Sequence, residues 1–213
     1  MRKFLNTILW VLLILGAVIA VVVTTPSVES MGKPVAIQKS PFDEALAVVL
    51  KHEGYISDHP NDKGGLTVWG LSLRFLQLES LDIDLDGDVD RDDVRAITKE
   101  KMYHIYFDKF WKRNGYDKIE SSVVATKLLD VSVNAGGSRA HKILKKAINR
   151  ALNENMAIDG NFDKATLSIV NAIEPVVLLD AIRVEQAEFY RALVKKTPAY
   201  GVFLKGWLKR ASW

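Results

Sequence analysis

Twenty-two consecutive residues, Phe4 to Thr25, carry no charge, and the run from Ile8 to Val23 within them is apolar throughout. A helix rises ~1.5 Å per residue, so this stretch spans about 33 Å, enough to cross a bilayer core of about 30 Å. Arg2 and Lys3 precede it, and such a basic flank keeps the amino end inside while the rest of the chain passes out. A cleaved signal peptide is the rival reading, with Val18-Ile19-Ala20 as the small-residue cleavage site. That tripeptide is embedded in apolar sequence, and the run exceeds the ~7–15 residues of a signal core. The expectation is therefore a retained anchor at residues 1–25, single-pass in the cytoplasmic membrane. Either reading exports everything downstream.

Residues 26–40 are small and polar with Pro26 and Pro34, the composition of a tether. The chain has no cysteine, so an exported domain here has neither a disulfide framework nor a thiol nucleophile. The formal charge of +3 divides unevenly. Residues 79–100 hold nine acids against three bases, whereas residues 139–213 hold thirteen Lys/Arg against seven Asp/Glu. The basic carboxyl half fits either an anionic polymer partner or an ordinary solvated surface.

From Ser40 onward the hydrophobic pattern is helical nearly to the end, with a short hairpin expected around residues 55–70. Ser40-Pro41-Phe42-Asp43 has the form of a helix start, with Ser40 as cap, Pro41 at the first position and Asp43 completing a capping box. Phe42, Ala45, Leu46, Val49 and Leu50 then define one apolar face, and Glu53 falls on that face before Gly54 stops the helix. Partial burial at the negative end of the helix dipole raises a carboxylic acid's pKa, as a general acid for a glycosidic oxygen requires. By position alone, a solvated carboxylate at a frayed helix end fits equally well. The loop that follows, from His59 to Gly70, supplies turn formers, paired glycines at 64 and 65, Asp62, Thr67 and the ring of Trp69. Two carboxylates flanking a cleft, a hydroxyl to place water and an aromatic face for a sugar are the parts of a glycosidase site. His59 reads as a solvated loop histidine rather than a base.

This segment resembles the active-site run of glycoside hydrolase family 108, the bacterial and phage N-acetylmuramidases. The family pattern is a Glu, paired glycines and a Tyr, then Asp-Pro-Asn-Asp-Pro-Gly-Gly-x-Thr-x-x-Gly. Here Tyr55, Ile56, His59 and Lys63 depart from it, while Glu53, Asp62, Gly64, Gly65 and Thr67 are retained. The resemblance implies a lysozyme-like helical catalytic domain that cleaves the β-1,4 bond between N-acetylmuramic acid and N-acetylglucosamine. It implies Glu53 as the acid, with Asp62 and Thr67 as candidate second catalytic groups. The rings of Tyr55 and Trp69 are candidate substrate contacts.

Asp82, Asp84, Asp86, Asp90 and Asp93 place carboxylates at positions 1, 3, 5, 9 and 12 of a twelve-residue loop, with Gly87 at position 6 and Asp88 at position 7. This is the spacing of an EF-hand calcium loop with Asp in place of the usual final Glu; Asp88 would contribute its backbone carbonyl. Crowded carboxylates repel one another unless a hard cation sits among them, and structural calcium is the expected cofactor. A solvated acidic loop is the alternative. The outgoing helix is expected from Arg95 to Trp111.

Within it, Met102, Ile105, Tyr106 and Phe110 make a core stripe, leaving Tyr103, Phe107 and Trp111 beside it. Tyr103 and Trp111 are candidates for lining a sugar cleft. Helices are expected over 122–136, from Arg139 to Leu152, from about Lys164 behind an Asp163 cap, and from Pro175 to about Lys196. The Asp159-Gly160-x-Phe162 turn and the closing Phe203–Arg210 stretch resemble the peptidoglycan-binding region of the same family. Asp130 and Asn134 match positions that the family fills alike.

The expected fold is mainly α, with an anchor at 1–25, a tether at 26–40, a catalytic region at 41–117 and a helical, peptidoglycan-binding-like region at 118–213. The expected partners are peptidoglycan strands and the membrane but not nucleic acid, with a monomer by default and the folded part facing the periplasm or wall. A non-catalytic tethered peptidoglycan binder and a lytic transglycosylase are the alternatives to the muramidase.

Overall fold

The computed structural model describes residues 39–53, 56–57 and 66–213; for His52, Glu53, Ile56 and Ser57 it describes the backbone alone. The expected anchor and tether, and Tyr55, His59, Asp62, Gly64 and Gly65, lie outside the described residues. The chain is mainly helical. Helix α1 (Pro41–Glu53) leads through β1 (Ile56–Ser57), β2 (Thr67–Val68) and β3 (Leu71–Ser72) into α2 (Leu73–Glu79). After the acidic loop come α3 (Arg91–Arg95) and α4 (Lys99–Ile105), and α4 runs on as a π-turn, Tyr106–Lys112. The rest is α5 (Ser122–Ala135), α6 (Gly137–Leu152), α7 (Lys164–Ala172), α8 (Pro175–Lys196) and α9 (Gly201–Ser212).

The capping box at the start of α1 forms as the sequence dictates. Ser40 Oγ accepts from the Asp43 amide at 3.1 Å, and Asp43 Oδ2 accepts from the Ser40 amide at 2.9 Å. The Ser40 hydroxyl, which donates to Asp43 Oδ2 at 2.8 Å, and then the Ser40 amide hold the Asp43 carboxyl below the usual carboxylate range, aided by the Tyr103 hydroxyl that donates to Oδ1 at 3.0 Å. Phe42, Ala45, Leu46 and Val49 are buried on the face the pattern marked, against α5.

The hairpin is a three-stranded antiparallel meander in the order β1-β2-β3, with Ile56 opposite Val68 and Val68 opposite Leu71. Leu66, Val68 and Leu71 bury their side chains. Beyond the hairpin, Arg113 grips Glu79 with two parallel bonds of 2.6 and 2.7 Å, and Lys109 stands 3.1 Å away. The segment after the π-turn is thereby tied to the end of α2, and Arg113 holds Glu79 below its ordinary pKa.

The outgoing helix differs from its expected form. It starts at Arg91, capped by Asp90, breaks at Ala96 and restarts behind Thr98. The π-turn then changes which side chains face inward. An i→i+5 repeat sets Trp111 on the same face as Tyr106, whereas ordinary α winding would swing it aside. Trp111 is 4% exposed and packs on Phe42, ring centroids 5.6 Å apart.

Residues 39–213 form one compact unit with one continuous core, running from Phe42 in α1 to Ile182 in α8. Helix α5, grouped by sequence with the carboxyl region, packs on both α1 and α6. Helix α8 lies against α6, and α9 folds back onto α8. Among the described residues no single helix is long and apolar enough to cross a membrane; α7 and α8 meet that test only as a pair, bent by 116°.

Candidate active site

Helix α1 fixes the geography of the site. Its capped start lies among Tyr103, Phe107 and Trp111, which crowd around Phe42 at centroid distances of 5.1 to 5.6 Å. Its far end is Glu53, ten residues beyond the capping Asp43, about 15 Å along the axis. Tyr103 and Trp111, expected as cleft-lining rings, therefore belong to the opposite end of the helix from Glu53. The Tyr103 hydroxyl is bound to Asp43, burial and then that bond lift the tyrosine's pKa, and Trp111 is core.

At the Glu53 end the backbone turns into β1 within three residues, and β1 pairs with β2. That pairing carries half-buried Thr67 and the tip residue Trp69 to the side of the segment leaving Glu53. Asp62 belongs to the β1–β2 connection, outside the described residues. The register between β2 and β3 leaves two residues, Trp69 and Gly70, to make the turn, with φ of 53° and 79°. Both values are those of a type I′ hairpin, which favours Asn-Gly. Gly70 adopts this conformation freely. Trp69 does so at a cost of roughly 1–2 kcal/mol, because its Cβ crowds the following carbonyl. The Tyr106 hydroxyl, on a fully buried ring, donates to the Trp69 carbonyl at 2.8 Å and holds the turn. Tyr106 was legible as core but not as the clamp of this tip.

The acidic loop sits between α2 and α3 in a helix–loop–helix. The carboxylates form two groups, Asp82 with Asp84 and Asp86, and Asp88 with Asp90 and Asp93; each group brings its oxygens within 4.8 Å. Asp82 accepts from the amides of Leu85 and Gly87 at 2.6 and 3.0 Å, folding the first half of the loop around itself. Gly87, at φ 104°, makes the sharp turn at position 6. Buried Asp93 accepts from the amides of Ile83, Asp84 and Asp90, so position 12 ties the loop's two ends together. Desolvation and the Asp86 charge raise the pKa of Asp84, and Asp86 foremost raises that of Asp88. Outside help comes from Lys101, which donates to the Ile83 carbonyl at 2.8 Å, and from Gln77, which donates to Val89 at 3.2 Å.

The carboxyl half is held by buried polar contacts that sequence reasoning did not assign. Asp130 is wholly buried and takes Arg210 of α9 at 2.7 and 2.9 Å. Lys127, also wholly buried, donates to the carbonyls of Arg210 and Ala211 at 3.0 Å each, and its ammonium lies 4.5 Å from the Trp213 ring centroid. Burial pulls its pKa down to about 8. Asn134 accepts from Tyr190, which in turn accepts from Gln186. The Asp159–Phe162 turn is pinned by His141, which bonds the Gly160 carbonyl at 3.0 Å and stacks on Phe162. Lys145 secures the same turn with a 2.6 Å bond to Asp159. A charged residue on a helix otherwise rich in Val and Leu was the available signal for Lys127.

Comparison with known proteins divides the chain after α5. A comparison with curated proteins gives no match. Among solved structures, SagA of Brucella abortus is similar, with 27% identity and a TM-score of 0.66, covering 80% of this chain and 89% of that one. Residues 139–212, α6 through α9, match the family described as "Predicted Peptidoglycan domain". Residues 46–136, which carry α1, the hairpin, the acidic loop and α5, match "Glycosyl hydrolase 108". The chain thus carries a glycosyl hydrolase 108 region followed by a peptidoglycan domain, the pairing of a glycoside hydrolase directed at peptidoglycan.

Proposed function

We propose that the protein is an exported, membrane-held N-acetylmuramidase that cuts the β-1,4 bond between N-acetylmuramic acid and N-acetylglucosamine, with Glu53 as general acid. The observation that carries this reading is the placement of Glu53 at the end of α1, beside the hairpin that presents Thr67 and Trp69. Glu53 protonates the leaving oxygen, and Asp62 with Thr67 serves the water or the developing positive charge on the opposite face. The membrane role rests on Phe4–Thr25, and the tether that follows spans up to about 50 Å at ~3.3 Å per residue, so a held domain still reaches nearby wall. Full-length protein in the membrane fraction, by intact mass, supports the anchor; a soluble species beginning near Val21 removes it.

Structural calcium in the Asp82–Asp93 loop is part of the same reading. The donor set fits, being all oxygen, crowded and preorganised around Gly87. Bound there, a cation neutralises the like charges that now raise Asp84 and Asp88.

The test of the catalytic assignment is Glu53→Gln assayed on purified sacculi. Turnover falls by at least about 10³ with folding and sacculus binding retained. Survival of activity within tenfold removes Glu53 from the role. Mass spectrometry of the products separates hydrolysis from transglycosylation, since the latter releases anhydro-muramic ends. Binding without any cleavage by the unmodified chain indicates a wall-binding anchor.

A further inference from the structure

The hairpin tip carries more structure than a turn requires. A two-residue I′ turn is easiest with Asn-Gly, yet this chain places tryptophan, the largest side chain, in the left-handed position at φ 53°. Strain of this kind persists only where surrounding contacts over-determine it, and here the buried Tyr106 hydroxyl grips the Trp69 carbonyl at 2.8 Å. The flanking residues Val68 and Leu71 are buried at 5% and 0% exposure, so the hairpin legs cannot shift to relieve the tip. Trp69 is partly buried and packs against the core. Exposed Lys99, the first residue of α4, holds its ammonium over the indole ring, 5.8 Å from the centroid. Among the described residues Lys99 has no carboxylate partner.

The geometry points to Trp69 and Lys99 as a saccharide subsite that selects a sugar bearing a negative charge, with Tyr106 as the positioning residue. The accessible part of the indole stacks on the apolar face of a pyranose, and the ammonium that lies over the ring moves to its rim as the sugar seats and pairs with a carboxylate carried by that sugar. This rests on the functional reading above, in which the substrate is peptidoglycan. There the carboxylate has two sources, the lactyl group of the muramic unit and the acidic groups of the stem peptide. The subsite lies on the Glu53 side of the molecule, since Val68 pairs with Ile56 three residues beyond that glutamate. Trp69 binds and Lys99 discriminates. Tyr106 acts only through the carbonyl it holds.

Three polymers separate the roles. These are intact sacculi, amidase-stripped glycan strands that keep the lactyl carboxylate, and chitin oligosaccharides that carry none. Trp69→Asn is expected to raise the melting temperature, because Asn-Gly suits the turn, while raising KM for sacculi about tenfold or more with a smaller change in kcat. Lys99→Gln is expected to weaken sacculi but not chitin oligosaccharides, the latter read as competitors. An equal penalty on stripped strands identifies the lactyl group, and a penalty on sacculi alone identifies the stem peptide. Tyr106→Phe is expected to raise KM in the native background and to have no further effect on KM once residue 69 is Asn, a non-additivity that a general loss of stability does not produce. Wild-type KM in Trp69→Asn, or a Lys99→Gln effect equal on all three polymers, overturns the proposal. Co-sedimentation of the same full-length variants with these polymers reads the subsite without cleavage. If the unmodified chain fails to cleave sacculi, the muramidase reading falls by itself, while binding still decides the subsite.

Discussion

His141 is surrounded in a way that keeps it neutral. Its Nε2 lies 3.2 Å from the Tyr116 hydroxyl and its Nδ1 3.0 Å from the Gly160 carbonyl, so the tautomer that donates to Gly160 and accepts from Tyr116 satisfies both. Burial, chiefly, depresses its pKa; the Gly160 bond opposes the shift, and the Lys145 charge adds to it. Below its ordinary value of about 6.5 the unfolded chain takes a proton that the folded chain resists. Stability is therefore full above that pH and is lost as pH falls through it. Asp159, held down to about 2 by Lys145 and its neighbours, loses its contribution in a separate and more acidic window. His141→Gln should flatten the decline of melting temperature between about pH 6.5 and 5 and leave the steeper fall below pH 4 unchanged. Equal slopes in the two proteins would show that some other group governs the first window.

At the scale of elements, the acidic loop makes the most direct prediction. A cation bound only by the folded state stabilises it by mass action. Calcium should raise the melting temperature, a chelator should lower it, and Asp82→Ala with Asp86→Ala should abolish the difference. Melting curves that coincide with and without calcium would leave the loop a solvated connection. The turn of this loop was legible because its chemistry is local: carboxylate spacing and glycine position are written within about twelve residues, whereas the outgoing helix starts earlier and breaks sooner than its pattern suggested. The start of α1 was legible for the same reason, and Phe42, Ala45, Leu46 and Val49 are buried as their spacing requires. Trp111 was not. Its inward turn depends on a switch from α to π winding at Tyr106, which leaves no mark on a pattern read at 3.6 residues per turn. The bond from Tyr103 was not legible either, because its partner, Asp43, lies sixty residues away. Asp130 and Lys127 were equally hidden, since their partners in α9 are some eighty residues downstream.

For the molecule as a whole, the two family regions do not correspond to two cores. The buried residues of α1, α5, α6 and α8 are continuous, so residues 39–213 should unfold together. Calorimetry of the full chain should show a single transition for this unit. Phe42→Ala removes the ring at the centre of the Tyr103–Phe107–Trp111 cluster and should cost about 3–5 kcal/mol. That loss should shift the whole transition downward rather than split it. Two resolved transitions, with only the earlier one moved, would show that the catalytic and peptidoglycan regions melt independently.

The cap at the start of α1 also has a mechanical consequence. Everything amino-terminal to the folded unit joins it at Lys39 and Ser40. A pull on that end is first resisted by the Ser40–Asp43 box and the Tyr103 hydroxyl behind it, with Phe42 wedged among three rings as a stop. The load then passes sideways into α5 and α4 rather than along α1 to Glu53, about 15 Å away. A domain drawn taut from its amino end would thus feel tension at its shoulder while the far end of α1 stayed slack.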